Sequence, residues 1–180
     1  MSIIKNIIYR LRGFFTLESL RKLGLQYGIG FNPQFPFFLD PSHCWLITIG
    51  DNVTFGPGVY VFCHDAAPCK QIGYAKIGQV NIGNNVFVGA GSIILPGVSI
   101  GENSIIGAGS VVSRSVPANM VYAGNPAVPL CSIEKYRERI EQEVQCRPVY
   151  GEDYTLRKGI SAEKKAKQKA DLADGVGFVK

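Results

Sequence analysis

Between Ile49 and Pro117 apolar residues return at every sixth position. From Ile49 the chain reads IGDNVT, FGPGVY, VFCHDA, and from Ile82 it reads IGNNVF, VGAGSI, ILPGVS, IGENSI, IGAGSV, VSRSVP. The first position of these nine hexads is always apolar, the fifth is Val or Ser in eight, and the second is Gly in six. The three departures at the second position, Phe62, Leu95 and Ser113, fall in every third hexad. A period of eighteen therefore overlies the six, and residues 82–99 match residues 100–117 at eight of eighteen positions. Six suits neither the 3.6-residue period of a helix nor the simple alternation of a strand. It suits short strands joined by corners, three to a coil, each coil covering the apolar edge of the next. Asn, Gly, Asp and Pro at the third and fourth positions supply corners, where unusual backbone angles are cheapest for Gly and Asn. The pattern predicts a mainly all-β chain, a triangular parallel β-helix over residues 23–130.

Elsewhere the rhythm changes. Before Ile49, LQYGIGFNPQFPFFLDPSHCW has suitable residue types without a clean phase, which predicts one or two irregular starting coils. Residues 67–81 lose the apolar first column and are three short of a full coil, predicting a protruding loop or distorted coil, the kind of excursion that carries function on a rigid scaffold. After the Gly/Pro-rich exit ANMVYAGNPAVPL, SIEKYRERIEQEV reads as a helix capped by Ser132, and SAEKKAKQKADLADG as a short basic helix with exposed faces. In residues 1–22, Ile3, Ile4, Ile7, Ile8 and Leu11 share one helical face. That segment reads as a helix docking on this chain's coil or on a neighbouring subunit, with a peripheral membrane contact as the second reading. The organisation expected is thus 1–22, an amphipathic segment; 23–130, the coil with its loop 67–81; and 131–180, a helix and basic tail.

Charge and cysteines narrow the classes. The net charge of +5 is mild and gathers at the two ends, so nucleic acid is not the expected partner. Five cysteines, an odd count without CxxC pairs, suit reduced thiols in the cytoplasm better than a disulfide framework. Charges divide the apolar N-terminal run and no small-residue cleavage site follows, so no leader is expected.

The chain has two histidines, and His64 sits where the hexad pattern breaks. It holds the fourth position of its hexad, a corner, where Gly97 and Ser115 stand in later coils, so its side chain is expected to point away from the interior. An imidazole there can act as a base near neutral pH. Asp65 stands where every other hexad has Val or Ser. It either orients the imidazole, binds acceptor hydroxyls, or caps the start of the loop. His43, in DPSHCW with Asp40 and Trp45 nearby, lies upstream as an acceptor contact or as a corner residue. Cys63, beside the base, is expected to be a buried thiol rather than a nucleophile, because neighbours on a strand face opposite ways.

The hexads and the run IGNNVFVGAGSIILPGVSIGENSIIGAGSVVSRSVPANMVYAGNPA resemble the hexapeptide-repeat acyltransferases over roughly residues 25–130. DPSHCWLITIGDN, then HD with a lysine and IGY, then AGNPA, is similar to the acetyltransferases of capsule and O-antigen biosynthesis within the sugar and xenobiotic branch. The resemblance implies a left-handed coil, against the usual crossover rule, and a homotrimer with acetyl-CoA in grooves between adjacent coils. It implies transfer of an acetyl group to a sugar hydroxyl on a polysaccharide unit or its precursor. His64 would be the general base in direct attack, with Asp65 beside it. Ala90 and Ala108 match backbone positions that bind the pantetheine arm, and Phe87 stands where relatives carry Trp beside it. Ser113 and Arg114 match a hydroxyl–cation pair near the nucleotide. Asp40 and His43 would lie on the acceptor side. Relatives carry Lys or Arg soon after GNPA, whereas this chain has Val128, leaving Lys135 or Arg137 as substitutes for the phosphates. No metal is expected: a γ-class carbonic anhydrase on this coil needs three histidines for zinc. Serine acetyltransferase would bring a long N-terminal helical domain, and residues 1–22 are not expected to form one. N-acetylation of an amino-sugar nucleotide and a non-catalytic scaffold are the remaining alternatives.

Overall fold

The computed structural model describes residues 15–180, which form two compact units, residues 15–133 and 134–180. The apolar face of residues 3–11, and the docking or membrane contact assigned to it, lies outside the described residues. A short helix, α1 (Leu17–Lys22), follows; Thr16 caps it by accepting from the Ser19 N–H, and Leu20 is buried.

The first unit is a stack of coils. The first coil is β1 (Gln26–Tyr27), β2 (Asn32–Pro33) and β3 (Phe37–Leu39), and the second is β4 (Ile47–Ile49), β5 (Thr54–Phe55) and β6 (Val59–Val61). The chain then leaves the stack as a hairpin, β7 (His64–Asp65), a one-turn helix α2 (Cys69–Ile72) and β8 (Lys76–Ile77), whose strands pair antiparallel. The Gly78 N–H donates to the Cys63 carbonyl and closes the neck. The third coil is β9 (Val80–Ile82), β10 (Phe87–Val88) and β11 (Ile93–Ile94), and the fourth is β12 (Ser99–Ile100), β13 (Ile105–Ile106) and β14 (Val111–Val112). Three parallel sheets result, β1-β4-β9-β12, β2-β5-β10-β13 and β3-β6-β11-β14.

The predicted column is the core. Ile49, Phe55, Val61, Ile82, Val88, Ile94, Ile100, Ile106 and Val112 are all buried and stack in register, Ile49 on Ile82 on Ile100, and Val61 on Ile94 on Val112. The fifth positions, Val53 through Val116, are buried too, with Asp65 the exception on the excursion. At the corners Asn52, Asn85, Asn103 and Asn119 take positive φ, and their side chains hydrogen-bond in a ladder, Asn52 to Asn85, Asn85 to Asn103 and Asn103 to Asn119 at 3.3, 3.1 and 3.0 Å. At the second position the next coil's corner comes so near that a Cβ on Gly89 would lie 2.4 Å from the Ala108 backbone nitrogen.

Three features depart from expectation. The blurred start is one regular coil, with Tyr27, Pro33 and Leu39 in register with Ile49, Phe55 and Val61. The excursion begins at His64, not at residue 67, and by Val80 the chain has rejoined the first sheet. The Gly/Pro-rich exit is itself a hairpin. Its β15 (Met120–Ala123) extends the second sheet in parallel, and β16 (Val128–Ser132) returns antiparallel beside it.

The second unit holds α3 (Ile133–Cys146), which starts directly after Ser132, β17 (Val149–Tyr150), α4 (Ala162–Asp171) and β18 (Phe178–Val179). Ser161 caps α4, and β17 pairs with β18 in parallel. Tyr150 is buried, and its hydroxyl donates to Asp171.

Candidate active site

The triangular coil has three edges, and the candidate residues fall on two of them. His64 follows β6 of the third sheet, Asp40 and His43 follow β3, and Ser113 and Arg114 follow β14. All five stand on the edge where the third face turns into the first, with β14 two strand spacings from β6, about 10 Å along the stack. Ala90 and Ala108 stand on the edge between the second and third faces, and Phe87 points outward from β10 just before it. One chain therefore brings Asp40, His43 and His64 together, and separates them by a whole face from Phe87, Ala90 and Ala108.

Asp40 is fully buried, yet it is charged and satisfied. Its Oδ2 accepts from the Cys63 and His64 backbone N–H groups at 3.0 and 3.1 Å, and its Oδ1 accepts from the Ser42 N–H at 3.0 Å. The same Oδ2 lies 2.5 Å from His64 Nδ1. Burial pushes this carboxyl up, but the hydrogen bonds from His64, Cys63 and Ser42 and the His64 charge outweigh it and hold the group below its ordinary value. An ionised carboxylate only accepts, so the proton of the pair sits on Nδ1 and the lone pair on Nε2. The His64 side chain is 33% exposed, which leaves the ring open to a reacting hydroxyl.

Asp65 does not orient this ring. It is exposed, and its Oδ1 accepts from the Ala67 N–H at 2.9 Å, capping the start of the excursion. Adjacent residues on β7 point to opposite sides, and the carboxylate that reaches His64 comes from the coil before it, at Asp40. Asp40, expected to touch the acceptor, has no exposed surface with which to do so, and holds the imidazole instead. The ring of His43 lies between two others, 5.6 Å from His64 and 5.3 Å from Trp45, centroid to centroid, and its buried Nδ1 has no hydrogen-bond partner among the described residues.

Cys63 is buried, and burial first, then the Asp40 charge, pushes its thiol up to about 12. It stays a thiol at neutral pH and is no nucleophile. Asp40, His43 and His64 offer one ligand atom each within 4.8 Å of one another, the one group of this kind among the described residues. The hydrogen bond from His64 Nδ1 to Asp40 occupies the facing atoms with a proton, which suits base catalysis more than metal ligation. Ser113 and Arg114 are exposed, as are Ala90, Ala108 and Phe87, so every residue expected to meet the cofactor stands at the surface.

Sequence reasoning missed the pairing of Asp40 with His64. The residues are 24 apart, and only the stacking of one coil on the next brings them together.

A coil of hexads carrying a carboxylate-held imidazole on its edge can serve acyl transfer, and comparison with known proteins points to that class. Residues 79–114 match the family described as bacterial transferase hexapeptide (six repeats). Protein CapG of Staphylococcus aureus is 44% identical over 131 residues, 68% of this chain and 74% of that one. The chain belongs to the hexapeptide-repeat transferase family, as one of its acyltransferases. A galactoside O-acetyltransferase of Lactococcus lactis is 44% identical over 85 residues, 46% of this chain and 41% of that one. Several other relatives are matched over only 44–58% of their length. Among solved structures, a hexapeptide-repeat acetyltransferase of Vibrio cholerae is 25% identical with a TM-score of 0.54, over 64% of this chain and 78% of that one. The same protein complexed with acetyl coenzyme A has a TM-score of 0.53, over 64% and 74%.

Proposed function

We propose that this chain is an acetyl-CoA-dependent O-acetyltransferase that acylates a hydroxyl of a sugar, with His64 as general base. The observation that carries the reading is the hydrogen bond from His64 Nδ1 to buried Asp40, which fixes the tautomer with Nε2 available on an open edge. Nε2 takes the proton of the acceptor hydroxyl as its oxygen bonds to the thioester carbonyl carbon. The carbon–sulfur bond then breaks, and the imidazolium returns the proton to the departing thiolate, so no acyl-enzyme forms. Asp40 stabilises the imidazolium while it lasts, as a buried carboxylate does for a catalytic histidine.

The thioester donor is supported by the acetyl coenzyme A bound to the Vibrio cholerae structure, and the sugar acceptor by the galactoside O-acetyltransferase among the relatives. We read the coil as left-handed, on the family resemblance, and the assembly as a homotrimer. The division of candidate residues between two edges supports the assembly, because Phe87, Ala90 and Ala108 of one protomer could then face His64 of another across a cleft. So does the outward surface of the third sheet, where Phe38, Tyr60 and Phe62 lie in a cluster, ring centroids 5.4 to 6.1 Å apart. The first sheet presents Thr48, Asn81 and Ser99 instead. Ser113 and Arg114 would meet the nucleotide end. The DPSHCW, HD and AGNPA resemblance supports an acceptor in surface polysaccharide biosynthesis. Use of acetyl-CoA and five unpaired cysteines support work in the cytoplasm. No described helix is long and apolar enough to cross a membrane.

The test is a mass-spectrometric screen of sugar acceptors with acetyl-CoA, with hydroxylamine treatment to separate esters, which it cleaves, from the amides of an N-acetyltransferase. His64→Ala is expected to lower kcat by about 10²–10⁴ while acetyl-CoA binding holds. Near-wild-type turnover by that variant would overturn the reading.

A further inference from the structure

The turn that carries His43 also carries an unexplained tryptophan. Residues Cys44–Leu46 form one turn of 3-10 helix. Cys44 fastens it inward, fully buried, with its Sγ donating toward the Leu20 and Leu23 carbonyls at 3.6 Å. Trp45 points the other way and is 53% exposed. Its ring lies 5.3 Å from that of His43, which lies 5.6 Å from that of His64. Those two separations set an upper limit on the distance from the indole to the base and keep both on one neighbourhood of the edge, within reach of a sugar laid on the indole.

We propose that Trp45 is the platform on which a pyranose acceptor lies, ring face to indole face, with one hydroxyl delivered to His64. The inference rests on the O-acetyltransferase reading and deepens it by naming the acceptor's form. A hexopyranose has an apolar C–H face and a rim of hydroxyls. Laid on an indole it removes apolar surface of both partners from water, while its rim stays free for hydrogen bonds. An exposed indole costs little conformational entropy on binding and offers a flat, wide contact, which is why tryptophan recurs where a ligand is half apolar and half wet. Tyr60 and Phe87 are half-exposed as well, but they stand on outward sheet faces. Trp45 is the half-exposed aromatic that adjoins the imidazole through a ring in contact with both.

The chain has one tryptophan, so its intrinsic fluorescence reports Trp45 alone. In the natural full-length protein, methyl hexopyranosides that the enzyme acetylates should shift and quench the emission. Mannitol, an open-chain polyol, and coenzyme A should not. Trp45→Ala should raise the acceptor KM about ten-fold, with kcat at saturating acceptor and the acetyl-CoA KM within about two-fold. Trp45→Phe should recover most of the loss, and unchanged circular dichroism excludes misfolding as the cause. If a pyranoside is acetylated while its binding leaves the emission and the Trp45→Ala KM unmoved, the platform falls and the transferase stands. Emission that answers to coenzyme A, or is already that of a buried indole in the free assembly, also overturns it by giving Trp45 to the donor or to a subunit interface. If another sugar is acetylated but no pyranoside is, the platform falls and the transferase stands; if no sugar is acetylated, the O-acetyltransferase reading falls with it.

Discussion

An imidazole serves as a base only through the nitrogen that keeps its lone pair, and Asp40 decides which one that is. A carboxylate held ionised by two backbone N–H groups at one oxygen cannot donate, so the proton between it and His64 belongs to the ring. Asp40→Asn reverses this. Its amide would either present N–H to a nitrogen that carries a proton, or turn N–H toward the Cys63 and His64 donors. We expect kcat to fall by about 10²–10⁴ with the acetyl-CoA KM unchanged, the pattern of a wrong tautomer rather than a lost binding contact. The same residue sets a pH signature in stability. Its folded pKa lies below the ordinary 3.8. Its contribution is therefore complete above that value and is lost as the pH falls through the depressed folded one. The gap in unfolding free energy between wild type and Asp40→Asn should thus be widest near neutrality and narrow below pH 3.8; a gap that widens on acidification contradicts the charge assignment. In the letters, Asp65 has three readings open to it, orienting the imidazole, binding acceptor hydroxyls or capping the loop, and the structure shows the cap. Adjacency on a strand is what keeps Asp65 from the ring.

At the scale of strands and corners the coil repeats one solution, and each repeat can be broken in a chosen way. Asn103 has positive φ, accepts from Asn85 and donates to Asn119. Asn103→Gly keeps the backbone angle and loses only the ladder, whereas Asn103→Ala also takes on a left-handed strain of about 1–2 kcal/mol. Denaturant unfolding should therefore rank wild type above Gly above Ala; an alanine variant as stable as the glycine one would show that the corner imposes no backbone demand. Gly89 makes a different demand. Its φ is ordinary, and the constraint is the Ala108 nitrogen, which a Cβ would approach to 2.4 Å. Gly89→Ala should cost about 1–3 kcal/mol by forcing two coils apart, and the loss should appear in the folded-state urea midpoint without a change in slope. The six-residue beat made these corners legible wherever the first column was aliphatic. It hid the first coil, where Tyr27, Pro33 and Leu39 hold the column and a four-residue insertion with the Cys44–Leu46 turn shifts the phase before Ile49.

For the whole molecule the decisive fact is that edges of a prism cannot bend toward one another. His64 stands on one edge, Ala90 and Ala108 on another, with the third sheet between them; in the assembly we propose, a second copy of the chain brings a donor held at the second edge to the base. Tyr60 is one of the three rings of the outward aromatic cluster of that sheet, and is 44% exposed. Tyr60→Glu would place a charge inside the interface we propose there, where an unpaired buried charge is strongly unfavourable. Sedimentation equilibrium should then show the mass fall from that of three chains to one, with transferase activity lost in parallel. A trimer unaffected by this change would move the interface to another face.

The sequence by itself determined the coil, because a side-chain period of six with Gly and Asn at its corners has one packing solution: aliphatic columns stacked inside, turns at the edges. It also marked His64, since a corner histidine in a column of Gly, Asn and Ser has no structural use. Only the tertiary structure chose that histidine's partner, separated Asp40 from Asp65, set Trp45 beside His43 and divided the remaining site residues between two edges. Those relations join residues of different coils, and their spacing is set by how one turn of backbone rests on the next, a distance that no local periodicity contains.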